Sequence, residues 1–177
     1  GSAPAELTAA WKVETGGHVF SSPAVGSAGT DKVVVVGSDD GSVYGVDAIG
    51  ICEIKLEEGR ETDQLAALRR SGLEASCAVP AVPSILPAPA LGGPEGPDER
   101  VTAMVAGMRR LAPFEPTAFV CLTGPAGELG ENEARRTVID GLRAGAGEAV
   151  RLGIPAGVEP MSTHFRNDWT LVTTLDE

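Results

Sequence analysis

Ala118-Phe119-Val120-Cys121-Leu122-Thr123-Gly124-Pro125, the helical pattern over residues 131–151, and Ile154-Pro155-Ala156-Gly157-Val158-Glu159-Pro160 decide the fold. A short apolar run that stops at Gly-Pro, a helical pattern of roughly twenty residues, and a second short run ending in an acid make a strand–helix–strand unit. Within the helix, Val138, Ile139, Leu142, Ala146 and Ala149 supply the apolar face. In α/β folds ligands sit at the carboxyl ends of parallel strands, so Glu159 is the first functional group to consider.

The same grammar extends upstream. Residues 50–56, Gly50-Ile51-Cys52-Glu53-Ile54-Lys55-Leu56, read as a strand. Residues 63–70 read as a helix, with Leu65 and Leu68 on one face and Gly72 placed as a left-handed cap. Residues 73–79 give a second strand. Pro80, Pro83, Pro87, Pro89 and Pro94 then predict an extended loop without regular structure. Val101, Met104, Val105, Met108 and Leu111 step by three and four, which makes another apolar helical face. Strands alternating with helices at this spacing call for a parallel sheet with right-handed crossovers.

Residues 11–48 follow a different pattern. Trp11-Lys12-Val13, Val19-Phe20-Ser21-Ser22-Pro23-Ala24-Val25, Lys32-Val33-Val34-Val35-Val36-Gly37-Ser38 and Ser42-Val43-Tyr44-Gly45-Val46-Asp47 are short β runs, with Asp39-Asp40-Gly41 as a hairpin turn. The expectation is a small antiparallel β-meander. This stretch resembles one repeat of a pyrroloquinoline-quinone-type β-propeller: an opening Trp, a Ser-Ser-Pro-Ala-Val strand and a closing Gly-Ser-Asp-Asp-Gly-Ser-Val-Tyr-Gly-Val-Asp-Ala. A propeller needs roughly four blades or more, and no second repeat follows, so the quinone cofactor is not implied. A lone blade has two open edges that something must cover.

Composition narrows the function classes. The 177 residues are 42% hydrophobic and 22% charged, enough for one sizeable core or two small ones. A net charge of −11 argues against a nucleic-acid partner, which would call for clustered Lys and Arg. The pairs Arg69-Arg70, Arg109-Arg110 and Arg135-Arg136 fall on separate helical patterns and read as solvated faces. No run is long enough to cross a bilayer and the start does not look like a signal peptide, so no membrane association is expected. Cys52, Cys77 and Cys121 lie in apolar runs, without metal spacing and in odd number, which suits reduced core thiols and a cytoplasmic protein.

Residues 49–177 are similar to the sugar-phosphate isomerase/epimerase superfamily, the xylose-isomerase-like barrels. The resemblance is carried by Cys77-Ala78-Val79-Pro80-Ala81-Val82-Pro83-Ser84-Ile85-Leu86-Pro87, Phe119-Val120-Cys121-Leu122-Thr123-Gly124-Pro125, Glu133-Ala134-Arg135-Arg136 and Val158-Glu159-Pro160. It implies a (β/α)8 barrel with a divalent metal at the carboxyl-end face, held by acids and a His from the later strands, Glu159 being the first ligand. The chain ends at Leu175-Asp176-Glu177, before the strands that would supply the rest. The expected fold is therefore α/β: a partial (β/α) barrel of about four parallel strands, residues 49–177, preceded by a propeller-blade-like β-meander, residues 1–48. The abrupt junction reads as a chimera of fragments. Open strand edges, and Ile51, Val79, Val120 and Val158 on an open inner face, predict a homodimer in which two four-stranded halves supply eight strands.

Each candidate group has a plain structural reading beside the chemical one. Glu159 is a metal ligand or base, or a salt-bridged structural carboxylate. His164, five residues on, could add an imidazole for zinc or manganese, or simply be solvated. Asp168 and His18 are further candidate metal ligands, the latter only if the first region folds over the barrel face. Glu53 reads as an ion-pair partner of Lys55, and Cys121 as core rather than nucleophile. Thr123-Gly124-Pro125-Ala126-Gly127 could offer backbone N–H groups to phosphate but lacks the Lys and Ser/Thr of a P-loop. Two functions stay open. One is a metal-dependent enzyme that isomerises a small sugar or sugar phosphate or hydrolyses a phosphoester; the other is a non-catalytic chimeric scaffold.

Overall fold

The structure is a computed structural model that describes residues 24–28, 31–37, 43–46 and 48–174. The expectations placed on Trp11, His18 and Asp39-Asp40-Gly41 lie outside the described residues. The chain divides into two compact units, Gly1–Asp47 and Ala48–Glu177. In the first, β1 (Ala24–Ala28), β2 (Asp31–Gly37) and β3 (Val43–Val46) pair antiparallel in that order, Ala24 opposite Val35 and Val34 opposite Val46. Three strands paired this way occur in many folds and do not by themselves specify a propeller.

The second unit contains β4 (Ala48–Cys52), β5 (Glu74–Val79), β6 (Phe119–Cys121) and β7 (Ala156–Val158), all parallel and adjacent in chain order. Three helices connect them: α1 (Glu61–Ser71), α2 (Pro97–Leu111) and α3 (Glu131–Leu152). Each starts with acids in its first turn and ends with Arg in its last, the arrangement the helix dipole favours. Pro97 opens α2, where its missing N–H costs nothing. Gly72 ends α1 at φ 73°, the left-handed cap expected from its position.

The core lies between the sheet and its helices. Met104, Met108 and Leu111 of α2 are fully buried against Phe119, Ile85 and Leu86. The buried stripe of α3 is Ala134, Val138, Gly141, Gly145, Glu148 and Ala149. Ile139 and Ala146, assigned to that face by their hydrophobicity, are exposed instead, Ile139 by 48%. Small residues suit this face because Ile85 and side chains of α2 crowd it. A methyl at 141 would stand 2.7 Å from Ile85 Cγ2, and one at 145 would stand 2.9 Å from Met104 Cε.

Three expectations are corrected. The strand read over 50–56 is β4, which ends at Cys52; Glu53–Lys55 forms a single 3-10 turn. The proline-rich segment is not free of regular pairing. After the break at Pro80, Ser84 bridges Leu122 in parallel, and the N–H groups of Ile85 and Leu86 donate to Leu122 O and Thr123 O. Prolines at 83 and 87 flank the donors this pairing uses, so the segment continues the β5 side of the sheet past the strand itself. Third, the inner-face residues differ in exposure: Ile51 is buried in the core, Val79 and Val120 are half-buried, and Val158 is exposed.

Candidate functional site

Because β4–β7 are parallel, their carboxyl ends share one face, where Glu53, Pro80, Leu122-Thr123 and Glu159 follow the strands. The groups on this face divide sharply by strand.

At the β4 and β5 ends the polar groups are occupied. Glu53 does not pair with Lys55 as expected. Its carboxylate accepts from Ala81 N–H at 2.7 Å, lies 3.5 Å from Arg110 Nη1, and fills the space left by Gly107, where a methyl would collide with it. Arg110 reaches on to Glu61 at 2.5 Å, which lowers the Glu61 carboxyl below its ordinary value through hydrogen bonds from the backbone and from Arg110. Arg109 and Arg110 are therefore not merely a solvated face. Arg109 donates to Glu148 at 2.8 and 3.0 Å, and Arg151 pairs with the same carboxylate. Those hydrogen bonds from Arg109 and Arg151 hold Glu148 down to about 2.

Arg100 is fully buried, with burial pushing its guanidinium below the ordinary value. It makes no carboxylate ion pair among the described residues. Instead Nε donates to Ser84 O, Nη1 to Gly92 O and Pro94 O, and Nη2 to Ser84 Oγ, all at 2.7–3.0 Å. One side chain from α2 thus fixes both ends of the loop that follows β5. At the β6 end, Thr123 Oγ1 accepts from Leu171 N–H at 2.7 Å and lies 3.1 Å from Thr170 Oγ1. Met161 N–H donates to Val172 O, so the segment after β7 folds back and buries Leu171 over β6. No buried side-chain nitrogen or oxygen among the described residues lacks a partner.

The Thr123–Gly127 turn does structural work. Gly124 sits at φ 77°, and a methyl there would meet Leu86 O at 2.3 Å, so the glycine serves close backbone packing. Cys121 is buried, and desolvation pushes its thiol up to about 11, so it is a core thiol rather than a nucleophile.

The β7 end is different. Glu159 N–H donates to Cys121 O at 3.0 Å and forms the last rung of the sheet, yet the residue is exposed. The buried, salt-bridged acid considered from sequence is not found: β7 is an edge strand, all three of its residues are exposed, and no hydrogen bond or ion pair engages the Glu159 carboxylate among the described residues. His164 follows on a 3-10 turn, Thr163–Phe165, capped by Ser162, and Asp168 comes after it; both are exposed. Beside them Phe165 and Trp169 meet edge to face, with ring centroids 6.3 Å apart. Among the described residues no three His, Cys, Asp or Glu side chains are grouped to hold a metal ion. Glu159, His164 and Asp168 alone therefore do not fit a closed zinc or manganese site.

Arg100, Ser84, Thr170 and Glu148 were missed by sequence reasoning. Sequence spacing could have placed Glu148 on the buried stripe of α3, three residues beyond Gly145 and one before Ala149; nothing local marks Arg100.

Four parallel strands in chain order, joined by helices, are compatible with a segment of a (β/α) barrel. Two solved structures share this fold. One is protein SMc04130 from Sinorhizobium meliloti, with a TM-score of 0.62 and 21% identity over 74% of this chain and 46% of its own. The other is the 3-keto-D-glucoside 4-epimerase YcjR from E. coli in its apo form, with a TM-score of 0.56 and 18% identity over 73% of this chain and 51% of its own. At these identities the likeness is one of fold, and the chain spans about half the length of both structures. No family model and no curated protein matches the chain. No helix among the described residues is long and apolar enough to cross a membrane.

Proposed function

We propose that the chain is part of a sugar-modifying β/α-barrel enzyme of the isomerase or epimerase kind, whose chemistry takes place at the carboxyl end of β7 with Glu159 as the proton-transferring group. The observation that carries this reading is the contrast at one face: Glu159 has its backbone pinned by Cys121 O, while no group among the described residues occupies its carboxylate.

In a keto sugar, a hydrogen on the carbon next to the carbonyl is acidified. A carboxylate placed against it removes that proton, and the electron pair moves into the carbonyl to give an enediolate. Return of the proton to the opposite face of the same carbon inverts it, which is epimerisation; return to the former carbonyl carbon, with the hydroxyl proton of the first carbon passing to the former carbonyl oxygen, moves the carbonyl, which is isomerisation. His164 and Asp168 stand on the turn beyond Glu159 and are the candidates to return the proton. Because no group of residues fit to hold a metal ion occurs among the described residues, the proton transfer is assigned to the chain's own acid.

The test is deuterium exchange in D2O, read by NMR on a 3-keto-glucoside, with manganese or zinc present and again after chelator treatment. Loss of the proton at carbon 4 supports the reading, and loss that stops with chelator adds metal dependence. No exchange in either arm overturns it. In that case cleavage of a phosphoester under the same conditions would indicate hydrolysis, and inertness in both assays would indicate a scaffold.

A further inference from the structure

We propose that the hydroxyl of Thr123 is a positioning group for the proton-returning side of the site: it fixes the loop that carries His164 and Asp168 relative to Glu159. This rests on the reading of Glu159 as the base that removes the proton and adds to it what holds the opposite face in place.

Residues 161–172 form a closed loop. Met161 N–H donates to Val172 O at 3.1 Å and shuts its neck. Inside, the backbone is bonded to itself. Phe165 N–H donates to Ser162 O, and the N–H groups of Asp168, Trp169 and Thr170 converge on Phe165 O at 2.9–3.3 Å. The rings of Phe165 and Trp169 meet edge to face. A loop of this length, with joined ends and contacts among its own side chains, behaves as one compact body. Its orientation is therefore set where its neck is anchored.

Both anchors lie on the chain of β6. Glu159 N–H donates to Cys121 O just before the loop departs, and Leu171 N–H donates to Thr123 Oγ1 at 2.7 Å as it returns. Thr170 Oγ1 lies 3.1 Å from the same hydroxyl and accepts from Val172 N–H at 3.0 Å. Thr123, Thr170 and Leu171 are all buried. Thr123 is itself held in place, because its carbonyl accepts from Leu86 N–H and the adjoining Gly124 is packed against Leu86 O. Its backbone belongs to the packed side of the molecule, and its side chain holds the loop that follows Glu159.

Epimerisation needs proton-transfer groups on opposite faces of one carbon. At carbon 4 of a 3-keto-glucoside, Glu159 takes the proton and the electron pair enters the carbonyl. The pair then returns to carbon 4 and bonds a proton given from the other face by His164 or Asp168, which recovers its own from solvent. Releasing the loop from Thr123 leaves the removal intact and misplaces the return. A misplacement of about 1 Å is enough to slow a step by roughly 100-fold.

Deuterium incorporation tests this. The unaltered chain, Thr123→Val and Thr123→Ser are each given a 3-keto-glucoside in D2O, and deuterium at carbon 4 is measured by NMR, at early times, in the recovered sugar and in its 4-epimer. Label in the recovered sugar reports removal and return on one face; label in the epimer reports return from the other. Thr123→Val should lower the epimer-to-recovered ratio by roughly 10- to 100-fold, with label in the recovered sugar close to that of the unaltered chain. Thr123→Ser keeps the hydroxyl and should restore the ratio. Partial unfolding lowers both species and leaves the ratio alone. If circular dichroism shows that Thr123→Val does not fold, Thr170→Val removes the second hydroxyl and carries the same expectation. An unchanged ratio, or one as low in Thr123→Ser as in Thr123→Val, overturns the role of Thr123 and leaves the Glu159 reading standing. With the unaltered chain, no label in either sugar overturns the Glu159 reading, and label without epimer shows that the loop returns no proton; either result also overturns the role of Thr123.

Discussion

The β5–β6 side of the parallel unit and its β7 side are built from similar residue types and use them in opposite ways. On the first side Arg100, Ser84, Thr123 and Glu148 are buried and partnered, and Ile85 and Val101 crowd the space beside Gly141. On the second side Glu159, His164 and Asp168 face solvent, and apolar side chains of α3 and β7 stand exposed. Helix α3 itself records the boundary: Gly141, Gly145 and Glu148 face α2, while Ile139 and Val150 lie exposed. Burying a polar group requires giving it a partner. Buried polar residues here are therefore structural, and the groups available for chemistry are those that packing has left alone.

Three substitutions would break or sharpen this contrast on the packed side. The largest effect is expected from Arg100→Met, which leaves the carbonyls of Ser84, Gly92 and Pro94 without their buried donor and should cost about 3 kcal/mol in chemical denaturation. A loss close to zero would mean that water replaces the guanidinium and that the loop does not need its clamp. Next, Gly141→Val should cost roughly 1–3 kcal/mol by forcing α3 away from Ile85 and Val101. Third, Glu148→Gln removes the carboxylate shared by Arg109 and Arg151. Its folded value of about 2 lies below the ordinary 4.5, so the stability it contributes is present above about pH 4.5 and is lost as the pH falls toward 2. Melting temperatures across that window should drop less steeply in the variant than in the unaltered chain.

Much of this organisation was legible in the sequence. The alternation of apolar runs with three-and-four-spaced patterns located β4–β7 and α1–α3 to within a few residues, because period and punctuation are local signals. Gly72 could be read as a cap for the same reason. Hydrophobicity misplaced the inner face of α3: Ile139 was chosen over Gly141 because the pattern rewards size, whereas close helix packing rewards its absence. A Gly-x-x-x-Gly spacing, 141 to 145, was the available signal. The return of the proline segment to the sheet through Ser84, and the burial of Arg100, depend on partners 16 to 38 positions away and leave no local trace. Glu159 is singled out as a candidate by its place at a strand end. Its solvent exposure follows from β7 being an edge, which is a property of topology rather than of Val158-Glu159-Pro160 itself.

The smallest effect on stability, and the most direct test of the contrast, falls at Glu159. Glu159→Gln should leave the unfolding free energy of the chain nearly unchanged, within roughly 0.5 kcal/mol, as for other exposed positions. In the same protein the rate of deuterium exchange at carbon 4 of a 3-keto-glucoside should fall by roughly 100-fold or more, the contribution of a positioned base. Unchanged exchange in Glu159→Gln would contradict the assignment of chemistry to the β7 end, and a large loss of stability would contradict the claim that packing leaves this carboxylate free.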